Sequence, residues 1–198
     1  MRIEARNIGF YYQEDDWILN DFSFEWTNEQ IIGISGSSGV GKSTLSKILA
    51  NYLTPQAGKV TIDGKSVRAF TYFPVQLIFQ HPEKAVNPRW KIKKIIEEVW
   101  LPDELLLDRL GIKKEWYHRY PNELSGGELQ RVCIARALGP KTKFLIADEM
   151  TTMLDAITQA QIWNTVIDIC EQRKIGLLVI SHDRHLMEKI TENIVYIN

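Results

Sequence analysis

The chain has 198 residues, 44% of them hydrophobic, with 24 Lys and Arg against 25 Asp and Glu. That length and composition suit one globular domain with a full core, and the near-zero net charge of −1 supplies no electrostatic footprint for nucleic acid. No stretch reaches the roughly 18 apolar residues of a membrane span, and Met1-Arg2-Ile3-Glu4 lacks a signal peptide's apolar core, so the sequence predicts a soluble chain. In chain order, Asn7-Ile8-Gly9-Phe10-Tyr11-Tyr12 and Phe22-Ser23-Phe24-Glu25-Trp26 read as early strands, and Gln30-Ile31-Ile32-Gly33-Ile34 as a buried one. A Gly/Ser-rich loop follows, then a helix over Thr44 to Ala50 with Leu45, Ile48 and Leu49 on one face. Val60-Thr61-Ile62 before Asp63-Gly64 predicts a hairpin, because Asp-Gly supplies the turn geometry that strand twist prefers.

Strands near 30–35, 75–80, 144–147, 177–181 and 194–197, interleaved with helices, predict a largely parallel sheet. Between them, Ile92, Ile95, Ile96, Val99 and Trp100 recur at helical spacing and are expected on the inner face of a helical subdomain, punctuated by Pro102 and Gly111. The lysines Lys91, Lys93, Lys94, Lys113 and Lys114 read as solvated helix faces, and Cys133 and Cys170 as reduced core thiols on helices. The fold expected is α/β, with a small antiparallel β-subdomain and a helical subdomain attached to the parallel core.

Residues 36 to 43, Gly36-Ser37-Ser38-Gly39-Val40-Gly41-Lys42-Ser43, match the phosphate-loop pattern G-x-x-x-x-G-K-[S/T] directly after a predicted strand. Such a loop turns backbone N–H groups inward around a phosphate, which leaves no room for a Cβ at its fixed glycines. Lys42 is placed to reach the β- and γ-phosphates and Ser43 to ligate Mg²⁺, while Thr44 opens a helix whose positive end faces the phosphates. The chemistry predicted is binding of a nucleoside triphosphate with Mg²⁺.

A second pattern, Leu124-Ser125-Gly126-Gly127-Glu128 running on to Gln130-Arg131, has the spacing of a helix capping box between Ser125 and Glu128. Capping alone asks neither for two glycines nor for Gln130-Arg131. The whole stretch resembles the signature of the ATP-binding cassette ATPases, the motor subunits of ABC transporters, and the resemblance extends from about Tyr12 to His182. It implies a P-loop NTPase core over residues 1–82 and 140–198, with the helical subdomain and signature over 83–139. The cofactors it implies are ATP and Mg²⁺. Phe144-Leu145-Ile146-Ala147-Asp148-Glu149 is similar to the family's second nucleotide motif, which makes Asp148 a Mg²⁺ ligand and Glu149 the group that polarises the attacking water. Gln80 matches the glutamine that touches Mg²⁺ and water, and His182 the switch histidine at the γ-phosphate. Asp155, in Met153-Leu154-Asp155, matches the loop that carries signals across a dimer interface. The signature residues Ser125, Gly126, Gly127 and Glu128 would bind the γ-phosphate held by an opposing subunit. An aromatic at the end of the first strand would stack on adenine; alignment on Phe10 favours Tyr12, with Tyr11 the alternative.

Phe79-Gln80-His81-Pro82 with Ala85-Val86-Asn87-Pro88-Arg89, and Arg119-Tyr120-Pro121-Asn122-Glu123 leading into the signature, are similar to the ATPases of peptide and nickel importers. The partners implied are integral membrane permease subunits, a second cassette packed head to tail, and an extracytoplasmic substrate-binding protein. The expected location is the cytoplasmic face of the membrane, as a peripheral subunit. Two other readings are a soluble cassette ATPase that remodels nucleic acid or ribosomes, and a catalytically idle regulatory subunit. The near-neutral charge and the absence of a coiled-coil insertion or second cassette speak against the first, and intact Lys42, Glu149 and His182 against the second. The sequence also departs from the family. Met150 stands where proline is usual, Thr151-Thr152-Met153 replaces a run of small residues, the stretch from Gly58 to Phe79 is short, and no cysteine-rich extension follows the last strand.

Overall fold

Two sheets carry the molecule. The computed structural model describes every residue but Asp15, Met153 and Asn198, and also omits the side chain of Arg68. Strands β1 (Arg2–Tyr11), β2 (Trp17–Thr27), β4 (Ala57–Ile62) and β5 (Lys65–Ser66) form an antiparallel sheet in the order β2-β1-β4-β5. The β4–β5 hairpin turns at Asp63-Gly64, both at positive φ (48° and 73°), as the dipeptide predicts. In β2 the run Phe22 to Trp26 alternates outward and inward, with Phe24 and Trp26 buried between exposed Ser23 and Glu25.

The second sheet is parallel throughout, in the order β6-β7-β8-β3-β9, from β3 (Ile31–Ser35), β6 (Val75–Ile78), β7 (Phe144–Asp148), β8 (Gly176–Ile180) and β9 (Asn193–Tyr196). Its central strands are buried on both faces, which is why they read as continuous apolar runs. Successive residues divide between two cores. Phe144, Ile146, Leu178 and Ile180 meet the antiparallel sheet and α1 (Lys42–Leu49) through Trp26, Ile3, Leu45 and Leu49. Leu145, Ala147, Leu177 and Val179 face the other way, into a core with α4 (Gly126–Ala137) and α5 (Ala156–Arg173). Helix α1 begins two residues before the predicted start, at Lys42, and Ala50 is its C-terminal cap.

The segment between β6 and α4 contributes short helices α2 (Ile92–Ile96) and α3 (Glu104–Arg109) and several single 3₁₀ turns. Ile92, Ile95 and Ile96 are buried as expected, but the helix stops at Ile96 and Val99 is 49% exposed. The expected inner-face position of Val99 is therefore wrong. Pro102 disfavours helix in the residue before it, and Asp103 starts α3 by accepting the Leu106 N–H at 2.7 Å, so the apolar spacing outruns the helix. Trp100 still packs inward, its indole N–H donating to the carbonyls of Ala135 and Arg136. Cys133 and Cys170 are buried in α4 and α5, and desolvation pushes their thiols up to about 11 and about 12. Among the described residues no helix is long and apolar enough to cross a membrane. A final short helix, α6 (Arg184–Ile190), precedes β9.

Candidate active site

Four of the parallel strands end on one rim. Ser35 closes β3 before the phosphate loop, Gln80 follows β6, Asp148 closes β7 with Glu149 just beyond it, and Ser181-His182 follow β8. The carboxyl ends of such strands are where open α/β sheets bind ligands. Here they face a cavity of about 300 Å³ lined by Tyr12, Ile18, Ser38, Gly39, Gly41, Lys42, Ser43, Thr44, Gln80, Glu149 and His182. Ile18, from the start of β2, has no sequence signal beyond being apolar, and sequence reasoning did not single it out.

The loop is shaped by its backbone. Gly41 caps α1 at φ 104°, and a Cβ there would lie 2.9 Å from Ile18 Cγ2 and 3.2 Å from the Ile18 carbonyl, so both conformation and space demand glycine. The Lys42 ammonium is turned back on the loop, donating to the carbonyls of Gly36 at 2.9 Å and Ser37 at 2.7 Å. Val40 packs against the core below the loop. Thr44 is buried, and its hydroxyl lies 3.3 Å from the Tyr12 hydroxyl. Tyr12 is 60% exposed at the cavity mouth, whereas the Tyr11 ring turns to the other side and meets Trp17 edge-on.

Asp148 is buried, with the Ser43 hydroxyl placed to favour its charged form. Burial lifts its carboxyl above the ordinary value and the Glu149 charge adds to the lift, opposed in part by Ser43, Lys47 and Lys42. Glu149 is pinned from both sides: Gln80 Nε2 donates to one carboxylate oxygen at 2.5 Å, and His182 Nε2 lies 2.7 Å from the other. Its backbone sits at φ 50°, a left-handed conformation that costs a non-glycine residue about 1–2 kcal/mol. Its N–H donates to the Ile180 carbonyl of β8 at 2.9 Å, which fixes the turn.

The remaining predicted residues are not part of the cavity lining. Ser125 caps α4 and forms the full capping box with Glu128, accepting the Glu128 N–H at 3.3 Å while the Glu128 carboxylate accepts the Ser125 N–H at 2.8 Å. Ser125 and Gly126 are exposed. Gly127 lies against Leu154, whose side-chain end would have to shift to admit a Cβ. Asp155 caps α5 by accepting the Thr158 N–H at 2.9 Å, a bond that holds its carboxyl below the ordinary value. Met153, beside it in the expected signalling loop, lies outside the described residues.

The oxygens of Ser43, Asp148 and Gln80 form the kind of hard donor set that suits Mg²⁺. Among the described residues no group of three or more His, Cys, Asp or Glu could hold a metal alone.

The family model described as ABC transporter matches residues 19–152, a span that takes in the phosphate loop, the signature and the Asp148-Glu149 turn. The chain belongs to the ABC transporter family. It is 35% identical, over 87% of its length, to the probable peptide ABC transporter ATP-binding protein y4tS of Sinorhizobium fredii, and spans 54% of that protein. It is 36% identical to the glutathione import ATP-binding protein GsiA of Pectobacterium atrosepticum over 87% of its length, spanning 31% of that relative. Against the nickel import ATP-binding protein NikE of Rhodospirillum rubrum it is 30% identical, covering 91% of this chain and 72% of NikE. The dimeric post-hydrolysis structure of the cassette MJ0796 bound to ADP and Pi superposes with a TM-score of 0.85 at 22% identity, over 99% of this chain and 94% of that one. That likeness establishes the cassette fold.

Proposed function

We propose that this cassette is the ATP-hydrolysing motor subunit of an ABC importer for peptides, nickel or a metal complex. The observation that carries the reading is one rim on which a phosphate loop, a buried aspartate and a glutamate pinned between Gln80 and His182 converge. The relatives named for peptide, glutathione and nickel import support the transport assignment.

Among the described residues Lys42 has no carboxylate partner, its ammonium meeting two loop carbonyls, so its charge can turn to the β- and γ-phosphates of ATP. Tyr12 covers the adenine, and the loop N–H groups from Gly36 through Thr44 take the phosphates at the start of α1. Ser43, Asp148 and Gln80 would hold Mg²⁺. When bound, that ion neutralises charge developing on the transferred phosphoryl group. Glu149 accepts the proton of the attacking water, and Gln80 and His182 orient its carboxylate until His182 meets the γ-phosphate. Ser125, Gly126, Gly127, Glu128 and Asp155 lie away from the cavity of their own chain, an arrangement that suits a composite site with a second cassette, identical or related. Residues 83–139 would pass the motion to permease subunits, with an extracytoplasmic substrate-binding protein completing the complex. The cassette itself would sit peripherally on the cytoplasmic face of the membrane.

Calorimetric titration of the full chain with ATP and Mg²⁺ tests the binding half of this assignment. Lys42→Ala should weaken affinity and turnover together, and Tyr12→Ala should weaken affinity while Tyr11→Ala does not. Unchanged affinity in Lys42→Ala, or loss confined to Tyr11→Ala, would refute the assigned phosphate or adenine contacts respectively.

A further inference from the structure

The turn that carries Glu149 is tied to α5 by a contact that the site itself does not use. Two residues beyond Glu149, Thr151 is 3% exposed, and its Oγ1 accepts two hydrogen bonds from α5, from Gln159 Nε2 at 2.9 Å and from Trp163 Nε1 at 3.0 Å. Trp163 is itself 2% exposed, so its indole N–H has been taken out of water to make this bond. Between the two, Met150 is buried in the core under α5, and Thr152 closes the turn by donating both its N–H and its hydroxyl to the Glu149 carbonyl, at 3.4 and 3.2 Å. A left-handed glutamate is thereby held by β8 on one side and by Thr151 on the other.

We infer that Thr151 is a positioning residue for ATP hydrolysis, its hydroxyl clamped by Trp163 and Gln159 so that α5 sets where the Glu149 carboxylate stands. The inference rests on the reading of Glu149 as the general base. Valine at 151 matches the shape of threonine but cannot accept a hydrogen bond, so Thr151→Val removes both bonds to α5 without opening a cavity, while Met150 stays packed under the helix. Misplacement of a reacting group by about 1 Å costs on the order of 10²-fold in rate. ATP binding depends on the phosphate loop and Tyr12, which Thr151 does not touch.

The experiment measures hydrolysis by the full chain, with ATP and Mg²⁺ varied to saturation, for Thr151→Val, Thr151→Ser, Trp163→Phe, the Thr151→Val/Trp163→Phe pair and Glu149→Gln. The expected result is a kcat lowered roughly 10- to 100-fold in Thr151→Val with KM for ATP within about twofold, and recovery in Thr151→Ser, which restores the acceptor. Trp163→Phe should lower kcat in the same sense, and the paired variant should be no slower than Thr151→Val alone, because Thr151→Val already removes the bond that Trp163→Phe breaks. Active chains are counted in each variant by titration with ATP and kcat is expressed per ATP-binding chain, so that a smaller folded fraction is not read as slower hydrolysis. Wild-type kcat in Thr151→Val beside a turnover-dead Glu149→Gln overturns the inference and leaves the catalytic reading intact. Wild-type turnover in Glu149→Gln overturns that reading and the inference with it.

Discussion

Replacing Glu149 by glutamine changes the basicity of one group and almost nothing else, and the contacts in the cavity show why. The carboxylate accepts from Gln80 Nε2 at 2.5 Å and stands 2.7 Å from His182 Nε2. A glutamine can keep both contacts, its carbonyl accepting from Gln80 and its amide donating to the Nε2 of a neutral His182. The turn is fixed through the backbone, by the Glu149 N–H on Ile180 and by Thr152 on the Glu149 carbonyl, so it does not depend on the side-chain charge. What disappears is the capacity to take a proton from water, a contribution of roughly 10²- to 10⁴-fold to kcat, or about 3–5 kcal/mol of barrier. The assay is phosphate release at saturating ATP and Mg²⁺, with ATP affinity measured in parallel by titration. Glu149→Gln should bind ATP about as tightly as the parent chain, lose turnover by that factor, and accumulate as an ATP-bound dimer. Turnover within tenfold of the parent would show that another group activates the water and would remove Glu149 from the catalytic role.

Much of this architecture was legible because it is written in short-range patterns. The central strands β7 and β8 lie where apolar runs placed them, since a strand buried on both faces needs four or five consecutive apolar residues. The hairpin at Asp63-Gly64 and the capping box of Ser125 and Glu128 depend on residues within three positions of one another, so local chemistry decides them. The spacing of Ile92 to Trp100 misled because the helix ends at Ile96: Val99 beyond it is exposed, while Trp100 reaches the core from outside the helix by bonding to α4 carbonyls. Ile18 and the Thr151–Trp163 bond could not be read at all. Both are contacts between elements, and no motif links a residue on β2 to the phosphate loop or a threonine in a turn to an indole about two turns into α5. Met150, conspicuous in the sequence as a departure from the family pattern, has a plain outcome: it is 2% exposed and fills core space under α5.

Two further outcomes separate binding, folding and assembly. Burial raises the Asp148 carboxyl, so between its ordinary value and its folded value the native chain holds a proton that the unfolded chain has released; stability conferred by that proton is present at low pH and is lost as pH rises through the folded value. Asp148→Asn should therefore raise the melting temperature of the nucleotide-free chain at neutral pH, by about 2–4 °C for each kcal/mol relieved, and abolish the extra stabilisation by Mg²⁺ with ATP; a lower nucleotide-free melting temperature in calorimetry would refute the assigned balance. The other concerns Ser125, which the structure shows as a helix cap and the family resemblance makes a ligand for the opposing subunit's γ-phosphate. Ser125→Arg removes the hydroxyl that accepts the Glu128 N–H, a loss of about 1 kcal/mol, or about 2–4 °C in a chain of this size. Because Ser125 is exposed and lies off the cavity lining, the same substitution leaves the chain's own ATP contacts alone. As a cap only, it would melt slightly earlier and still dimerise with ATP. As a ligand in a head-to-tail pair, it places a bulky side chain where a phosphate must dock, so ATP-driven dimerisation and hydrolysis should vanish while monomeric ATP binding survives. Sizing with ATP in a Glu149→Gln background, which holds the dimer, distinguishes the two. An intact dimer beside a slightly lower melting temperature would leave the serine a cap and overturn the composite site.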